Sequence, residues 1–323
     1  MVLIAAALTP AQQEVLDQLG ALGQTRPSFD AGLRGELRAA LEEGVEPLVP
    51  LLDELGIDAE HPLTISKHTL SQVHGCEVRF LAEDGVFPGW SVPLARGTVA
   101  HKAIELSIHM RGEPQPSELV DDALARLTEG DHFLSEWLQQ LAEAERAELR
   151  AEACDRVTKF LECWPPLKAA WRPVTESSLR ADLLDGRIAL KGKVDLTLGR
   201  AEGTTAGRTV AGKVLIDLKT GGFSPHHLDD LRFYALLETI RLGVPPRRLS
   251  TYYLDRGAFL PEDVSEGLLA TTVGRTIDGI AKAVALRGAR VEPVHKPGPV
   301  CRWCPVLERC EVGTAHLAGA DDW

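Results

Sequence analysis

A short apolar segment in the second half of the chain ends in two oppositely charged side chains. Residues 214–218 are apolar except for Asp217, and Lys219 follows two positions later. Side chains alternate between the faces of a strand, so these two project to the same side, about 7 Å apart. A carboxylate and an ammonium so placed could hold a divalent cation and act on a water beside it, which is the chemistry of phosphodiester hydrolysis.

A second predicted strand, residues 192–198, brings another carboxylate, Asp195. The Gly/Thr-rich link from residue 200 to 212 allows the two strands to pair, and pairing would bring Asp195, Asp217 and Lys219 to one end of a sheet. The pattern D-x-K alone is more often a surface ion pair of little energetic weight. The catalytic interpretation therefore depends on what surrounds it.

A third group of residues that could do chemistry is a cysteine cluster in the tail. Cys301, Cys304 and Cys310 are spaced C-x2-C-x5-C, which supplies three ligands for an iron–sulfur cluster, with zinc as the alternative. Candidates for a fourth ligand are Cys76, Cys154, Cys163 and His295. Cys154 and Cys163 lie in a predicted helical arm, where small buried thiols are the more common finding.

Composition excludes several classes of protein. A hydrophobic content of 44% and a charged content of 25% are ordinary for a globular chain, and the apolar opening, residues 1–8, is too short to span a bilayer. We expect a cytoplasmic protein with no membrane contact, whose six cysteines are thiols or metal ligands. The net charge of −12 is uneven, because residues 177–323 carry 20 Lys and Arg against 18 Asp and Glu. That half could face phosphates.

Helical and strand periods predict the elements that position these groups. Helices are predicted from Thr9-Pro10 onwards, from Ser66, over 97–110, over 119–163, after Ser224-Pro225 and over 268–287. Strands are predicted at 174–179, 187–198, 213–218 and 249–254. The order indicates an α/β core with a helical arm inserted before it. Residues 207–213 spell G-x-x-x-x-G-K, but a strand follows instead of a helix, so we interpret them as a hairpin loop and not as a P-loop.

The cysteine pattern resembles that of the RecB-type branch of the PD-(D/E)XK nucleases that carry an iron–sulfur staple, such as AddB nuclease domains and CRISPR-associated Fe–S exonucleases. In that branch one cysteine precedes the nuclease core and three follow it. Ser66, Leu70, Cys76 and Phe80 fit the upstream pattern, although Glu77 replaces its proline. The resemblance implies Cys76 as the fourth ligand of a 4Fe–4S cluster.

The active-site motifs of this family also have counterparts in the chain. They imply catalytic roles for His101, Asp195, Asp217, Lys219 and Tyr234, with Mg²⁺ or Mn²⁺ held by His101, Asp195, Asp217 and the Leu218 carbonyl. Glu176 resembles an acid that often precedes the second motif. Asp230 stands where the family usually has glutamine in Q-x-x-x-Y, and a carboxylate there repels phosphate unless it is protonated or paired.

The resemblance implies a restriction-endonuclease-like core, a central mixed sheet flanked by helices. We predict an N-terminal helical region at 1–60 and a nuclease domain at 61–323, with a helical insertion at 111–172 and a Cys-rich tail at 291–323. The implied function is a Mg²⁺- or Mn²⁺-dependent nuclease, an exonuclease on single-stranded DNA in repair or recombination, partnered by a separate helicase or another repair or CRISPR protein. The alternative is a nucleic-acid-binding subunit with a weak or idle nuclease centre.

Overall fold

The secondary structure alternates between helical segments and one main sheet. The computed structural model describes residues 8–20, 26–86, 89–108, 110, 114–130, 132–200, 202–224 and 226–320. Within these ranges the helices are α1 Pro10–Gln18, α2 Leu33–Val45, α3 Val49–Glu54, α4 Lys67–His74, α5 Glu77–Glu83, α6 Val92–Ser107, α7 Pro116–Glu129, α8 His132–Gln140, α9 Glu143–Cys163, α10 His226–Leu242, α11 Glu266–Arg287 and α12 Glu311–Ala320. The strands are β1 Ser28–Asp30, β2 Leu63–Ile65, β3 Val174–Leu183, β4 Ile188–Leu198, β5 Glu202–Thr205, β6 Arg208–Val210, β7 Val214–Lys219, β8 Arg248–Tyr253 and β9 Ala258–Asp263.

The main sheet is mixed, and β4 is its organising strand. One edge of β4 pairs with β3 antiparallel; the other pairs with β2 in parallel at residues 188–190 and with β7 antiparallel at residues 196–198. Strand β7 then pairs in parallel with β8, which pairs antiparallel with β9. Among the described residues, 191–195 of β4 have no strand partner on the edge that β2 and β7 share. The sheet therefore opens between β2 and β7.

Helices cover both faces of the sheet. Leu215 of β7 packs in a core with α2, α4, α10 and α11, whereas its neighbours Val214 and Ile216 pack in a second core with Phe160 and Trp164. This alternation is expected of a strand buried on both faces. The predicted α/β class, with a mixed sheet between helices, is confirmed. No helix in the described part of the chain is long and apolar enough to cross a membrane.

N-cap residues in the sequence correctly predicted where several helices begin. Thr9 and Ser66 are N-caps of α1 and α4, each with a reciprocal capping box. The single helix predicted over 119–163 is wrong, because α7, α8 and α9 occupy that segment and Gly130 ends α7. Pro225, predicted to open α10, lies outside the described residues, as do 1–7 of the apolar opening.

The G-x-x-x-x-G-K segment is part of a small second sheet. Strands β1, β6 and β5 pair antiparallel in that order, and Gly207 lies in the turn between β5 and β6 at φ +75°. A positive φ favours glycine at this position. The segment then runs into β7 and not into a helix, so it is not a P-loop. The predicted loop is corrected in one respect, because residues 208–210 form β6.

Candidate functional site

The site begins where β4 and β7 separate. Their ladder ends at the pair Leu196 and Ile216, one residue before Asp195 and Asp217 would face each other. Two carboxylates directly opposite on paired strands repel. The Leu218 N–H, which a continued ladder would use, donates instead to Asp195 Oδ2 at 2.7 Å. This bond fixes Asp195 at the mouth of the opening.

Helix α6 brings His101 to the same place. Its Nε2 lies 3.0 Å from the Leu218 carbonyl oxygen and its Nδ1 lies 3.5 Å from Asp195 Oδ1. A Cβ on Gly97, one turn earlier, would lie 3.2 Å from Thr220 Oγ1, so glycine lets the helix approach the end of β7. Burial lowers the imidazole pKa of His101, but the carboxylates of Asp195, Glu176 and Asp217 together raise it more, and the net shift is upwards.

Glu176 is the third side chain at the opening. It lies in β3 with a φ of +53°, in the left-handed region that non-glycine residues rarely adopt. Such strain is concentrated at functional sites. The carboxylate forms an ion pair with Lys193 and can place an oxygen within 4.8 Å of ligand atoms of both His101 and Asp195.

These three side chains form a donor set that suits a divalent cation. One imidazole nitrogen and two carboxylate oxygens lie within 4.8 Å of one another, and the Leu218 carbonyl is adjacent to them. Hard cations take oxygen ligands, and imidazole suits several transition metals. The residues present therefore fit a divalent metal. Asp217 does not belong to this group.

Asp217 lies between two lysines. Lys67 Nζ donates to its Oδ1 at 3.0 Å, and Lys219 Nζ lies 2.8 Å from its Oδ2. The side chain is 1% exposed. Burial raises the pKa of Asp217, but Lys67 and Lys219 lower it more, so the carboxylate is held ionised. Lys67 was not predicted from the sequence, where its only local signal is the N-cap at Ser66.

Helix α10 closes the other side of the site. Asp230 Oδ2 lies 3.3 Å from Lys219 Nζ and 3.6 Å from Lys67 Nζ. The carboxylate that replaces the family's glutamine is therefore paired with two lysine ammonium groups. Tyr234 lies one turn later, with Lys67 Nζ 5.1 Å from its ring centroid. Burial raises the pKa of Tyr234 to about 12. A Cβ on Gly192 would lie 2.5 Å from the Tyr234 ring, so glycine on β4 makes room for the tyrosine.

Aromatic side chains border the site beyond Lys219. Phe223 is 59% exposed, and its ring centroid lies 6.1 Å from that of Tyr253 on β8. His227 Nδ1 accepts a hydrogen bond from the Tyr253 hydroxyl at 2.8 Å if that nitrogen is unprotonated. Burial and then Lys219 lower the pKa of His227 to about 4, which keeps the ring neutral near pH 7. Lys219 and Tyr253 are register partners, so these aromatic rings lie beside the catalytic candidates.

The predicted cluster cysteines lie around one small cavity. Cys76, Cys301, Cys304 and Cys310 line it, whereas Cys154 and Cys163 do not. Backbone N–H groups of Gly298 and Gly313 lie 3.4 and 3.3 Å from the sulfurs of Cys301 and Cys310. No three of these four sulfurs lie within 4.8 Å of one another. A single zinc ion, with Zn–S bonds of about 2.3 Å, would require these sulfurs to approach one another more closely.

Known proteins that resemble this chain include two solved structures. A putatively assigned exonuclease from Eubacterium rectale aligns with 11% identity over 78% of this chain and 88% of its own, with a TM-score of 0.42. SSO0001 aligns with 17% identity over 67% of this chain and 95% of its own, with a TM-score of 0.31. No curated protein sequence matches. The profile of the PD-(D/E)XK nuclease superfamily matches residues 64–311, about three quarters of the sequence, and the chain belongs to that superfamily.

Proposed function

We propose that this protein is a Mg²⁺- or Mn²⁺-dependent deoxyribonuclease, an exonuclease that acts on single-stranded ends in DNA repair or recombination. The observation that carries the proposal is the donor set of His101, Glu176 and Asp195 at the opening between β4 and β7. The superfamily match supports nuclease chemistry. Its first matched residue, 64, also supports a division into a helical region at 1–60 and a nuclease domain at 61–323.

In this proposal His101, Asp195 and the Leu218 carbonyl hold the cation, together with Asp217 and Glu176. A bound divalent cation would lower the pKa of a coordinated water and neutralise charge on the scissile phosphate. Lys219 orients the attacking water and offsets the charge that develops on the phosphorus oxygens. Lys193 lines the same groove, of about 510 Å³, and attracts the phosphate backbone.

Phe223 supports the preference for single strands. Its exposed ring, backed by Tyr253, offers a face on which an unpaired base can stack. Stacking of a base on an aromatic side chain contributes about 1–3 kcal/mol and tolerates any sequence. Bases in an intact duplex are already stacked, so this contact favours a single-stranded end.

The four-cysteine cavity supports a 4Fe–4S cluster as a structural staple. The Glu77 N–H donates to the Val294 carbonyl oxygen at 3.1 Å, and Lys296 Nζ donates to the His74 carbonyl oxygen at 3.2 Å, so the tail is bound beside Cys76. A cluster held by Cys76 and the three tail cysteines would secure this contact covalently. Its role would be to hold the two ends of the nuclease core together.

The nuclease proposal predicts that purified protein degrades labelled single-stranded DNA only with Mg²⁺ or Mn²⁺. Asp217→Ala should remove nearly all cleavage, because a carboxylate ligand is lost. Lys219→Ala should keep metal binding and cleave at least 100-fold more slowly, since about 3 kcal/mol of transition-state stabilisation is lost. Arg38→Ala, a substitution on the exposed face of α2, is the control.

If Asp217→Ala and Lys219→Ala both cleave single-stranded DNA at the rate of the parent protein, the proposed site is wrong. A parent protein that binds single-stranded DNA without cleaving it would instead favour a binding subunit with an idle centre. The pairing of Asp230 with Lys67 and Lys219 weakens that alternative, because a paired carboxylate no longer repels phosphate.

A further inference from the structure

Lys67 is a second lysine in the site, and it comes from a different element than Lys219. It is the first residue of α4 and reaches Asp217, Asp230 and the ring of Tyr234. Burial lowers the pKa of Lys67, but Asp217 above all raises it, so its ammonium stays charged. Two lysines and two aspartates therefore form a compact cluster without net charge.

This cluster holds Asp217 apart from the other candidate ligands. Both of its oxygens face ammonium groups, and it lies outside the group of His101, Glu176 and Asp195. A metal cation and an ammonium beside the same carboxylate oxygen repel each other. For Asp217 to join the ligands, the carboxylate must turn away from a lysine.

Of the two lysines, Lys67 is the one with room to move. Lys219 is only two residues from Asp217 on the same strand. Lys67 borders both the catalytic groove and a second cavity of about 320 Å³ between α4, α10 and α11. Asp230 Oδ2 lies 3.6 Å from its ammonium and remains a partner after Asp217 is released.

We propose that Lys67 holds Asp217 away from the cation ligands until a phosphate of the nucleic acid draws its ammonium off, so that substrate and divalent cation bind cooperatively. This inference rests on the nuclease function proposed above. The phosphodiester replaces Asp217 as the anion beside Lys67, and Asp217 then turns to the cation. Because such coupling is reciprocal, the cation strengthens substrate binding by the same factor.

The test is the Ca²⁺ affinity of the full-length protein, measured by calorimetry with and without an eight-residue oligothymidylate. Ca²⁺ is used because it should support binding with little cleavage. Lys67→Met should bind Ca²⁺ alone about tenfold more tightly than the parent and should lose most of the tightening that DNA produces, a coupling of about 5–150-fold in typical systems. Methionine keeps a similar unbranched stem against Tyr234 and removes only the charge.

Two further variants sharpen the test. Lys102→Met removes a charge from the same groove, but Lys102 pairs with Glu105 at 2.9 Å and not with Asp217, so its Ca²⁺ affinity should change less than twofold. Asp230→Asn should have the opposite sign to Lys67→Met, because Lys67 then has only Asp217 as a carboxylate partner, and Ca²⁺ should bind more weakly. This variant also tests the inference if Lys67→Met fails to fold.

The inference is overturned if Lys67→Met behaves like Lys102→Met, or if Asp230→Asn binds Ca²⁺ as tightly as the parent. In either case the parent would still bind Ca²⁺ and DNA, and the nuclease proposal would stand. A parent protein that binds neither would overturn the proposed function itself, and the inference with it.

Discussion

Gly192 on β4 offers the sharpest test of how the sheet positions the site. A Cβ built there would lie 2.5 and 2.7 Å from two ring carbons of Tyr234, where ordinary contacts are 3.4–4 Å. Gly192→Ala therefore forces the tyrosine or the strand to move by nearly 1 Å. Tyr234 is 3% exposed and has little space into which it can retreat.

The size of the effect follows from two opposing contributions. Overpacking a core costs about 1–3 kcal/mol. Replacing glycine by alanine returns about 0.4–1 kcal/mol by restricting the unfolded chain. We expect a net loss of about 1–2 kcal/mol. An unfolding entropy of about 2.1 cal/mol/K per residue converts this loss into a fall in Tm of roughly 1.5–3 °C for the whole chain.

Differential scanning calorimetry at one scan rate measures this shift. Gly35→Ala in α2 is the matched control, because a Cβ there meets nothing within 4 Å and should raise the Tm slightly. Tyr234→Leu should reduce the cost of Gly192→Ala, since the two sites are in contact. If the Tm of Gly192→Ala equals or exceeds that of the parent protein, Tyr234 does not pack against β4 as described.

Two further predictions concern the cysteines and the aromatic rim. Cys301→Ala should give colourless, aggregation-prone protein without iron, whereas the double variant Cys154→Ser, Cys163→Ser should keep the iron content of the parent. Stoichiometric zinc and no iron in anaerobic preparations would contradict the cluster assignment. Phe223→Ala should weaken binding of single-stranded DNA by about fivefold or more, through the loss of about 1–3 kcal/mol of stacking, and change duplex binding little. If Phe223→Ala lowers the affinity for single-stranded and for duplex DNA by the same factor in a binding assay, stacking on Phe223 is ruled out.

The parts of the fold that were predicted correctly carry strong local signals. Residues 214–218 form a strand that is apolar apart from Asp217, and Ser66 is the capping residue that starts α4. The three-residue strands β1, β2 and β6 were not predicted, because a strand that short shows no period and exists through its partners. The helical period across 119–163 conceals two breaks, since a periodic pattern can continue through a short turn.

The acidic residues of the candidate site could be predicted from the sequence, but one of its two lysines could not. Asp195 and Asp217 could be placed together once two strands were assigned. Lys67 is 150 residues from Asp217, and the packing of α4 against α10 and α11 brings it there. The positive φ of Glu176 has no local sequence signal, because glutamate does not favour that conformation. The roles assigned to the site residues and the cluster cysteines remain predictions.

The distance along the chain between Cys76 and Cys301 has a consequence for biosynthesis. At about 5–20 residues per second, a ribosome needs roughly 11–45 seconds to synthesise the 225 residues from position 77 to Cys301. Throughout that interval the thiol of Cys76 is exposed without the cysteines that complete its cavity. A cofactor bound there would be inserted late, after the tail has left the exit tunnel. Iron supply and chaperone protection during translation would then set how much of the newly made protein matures.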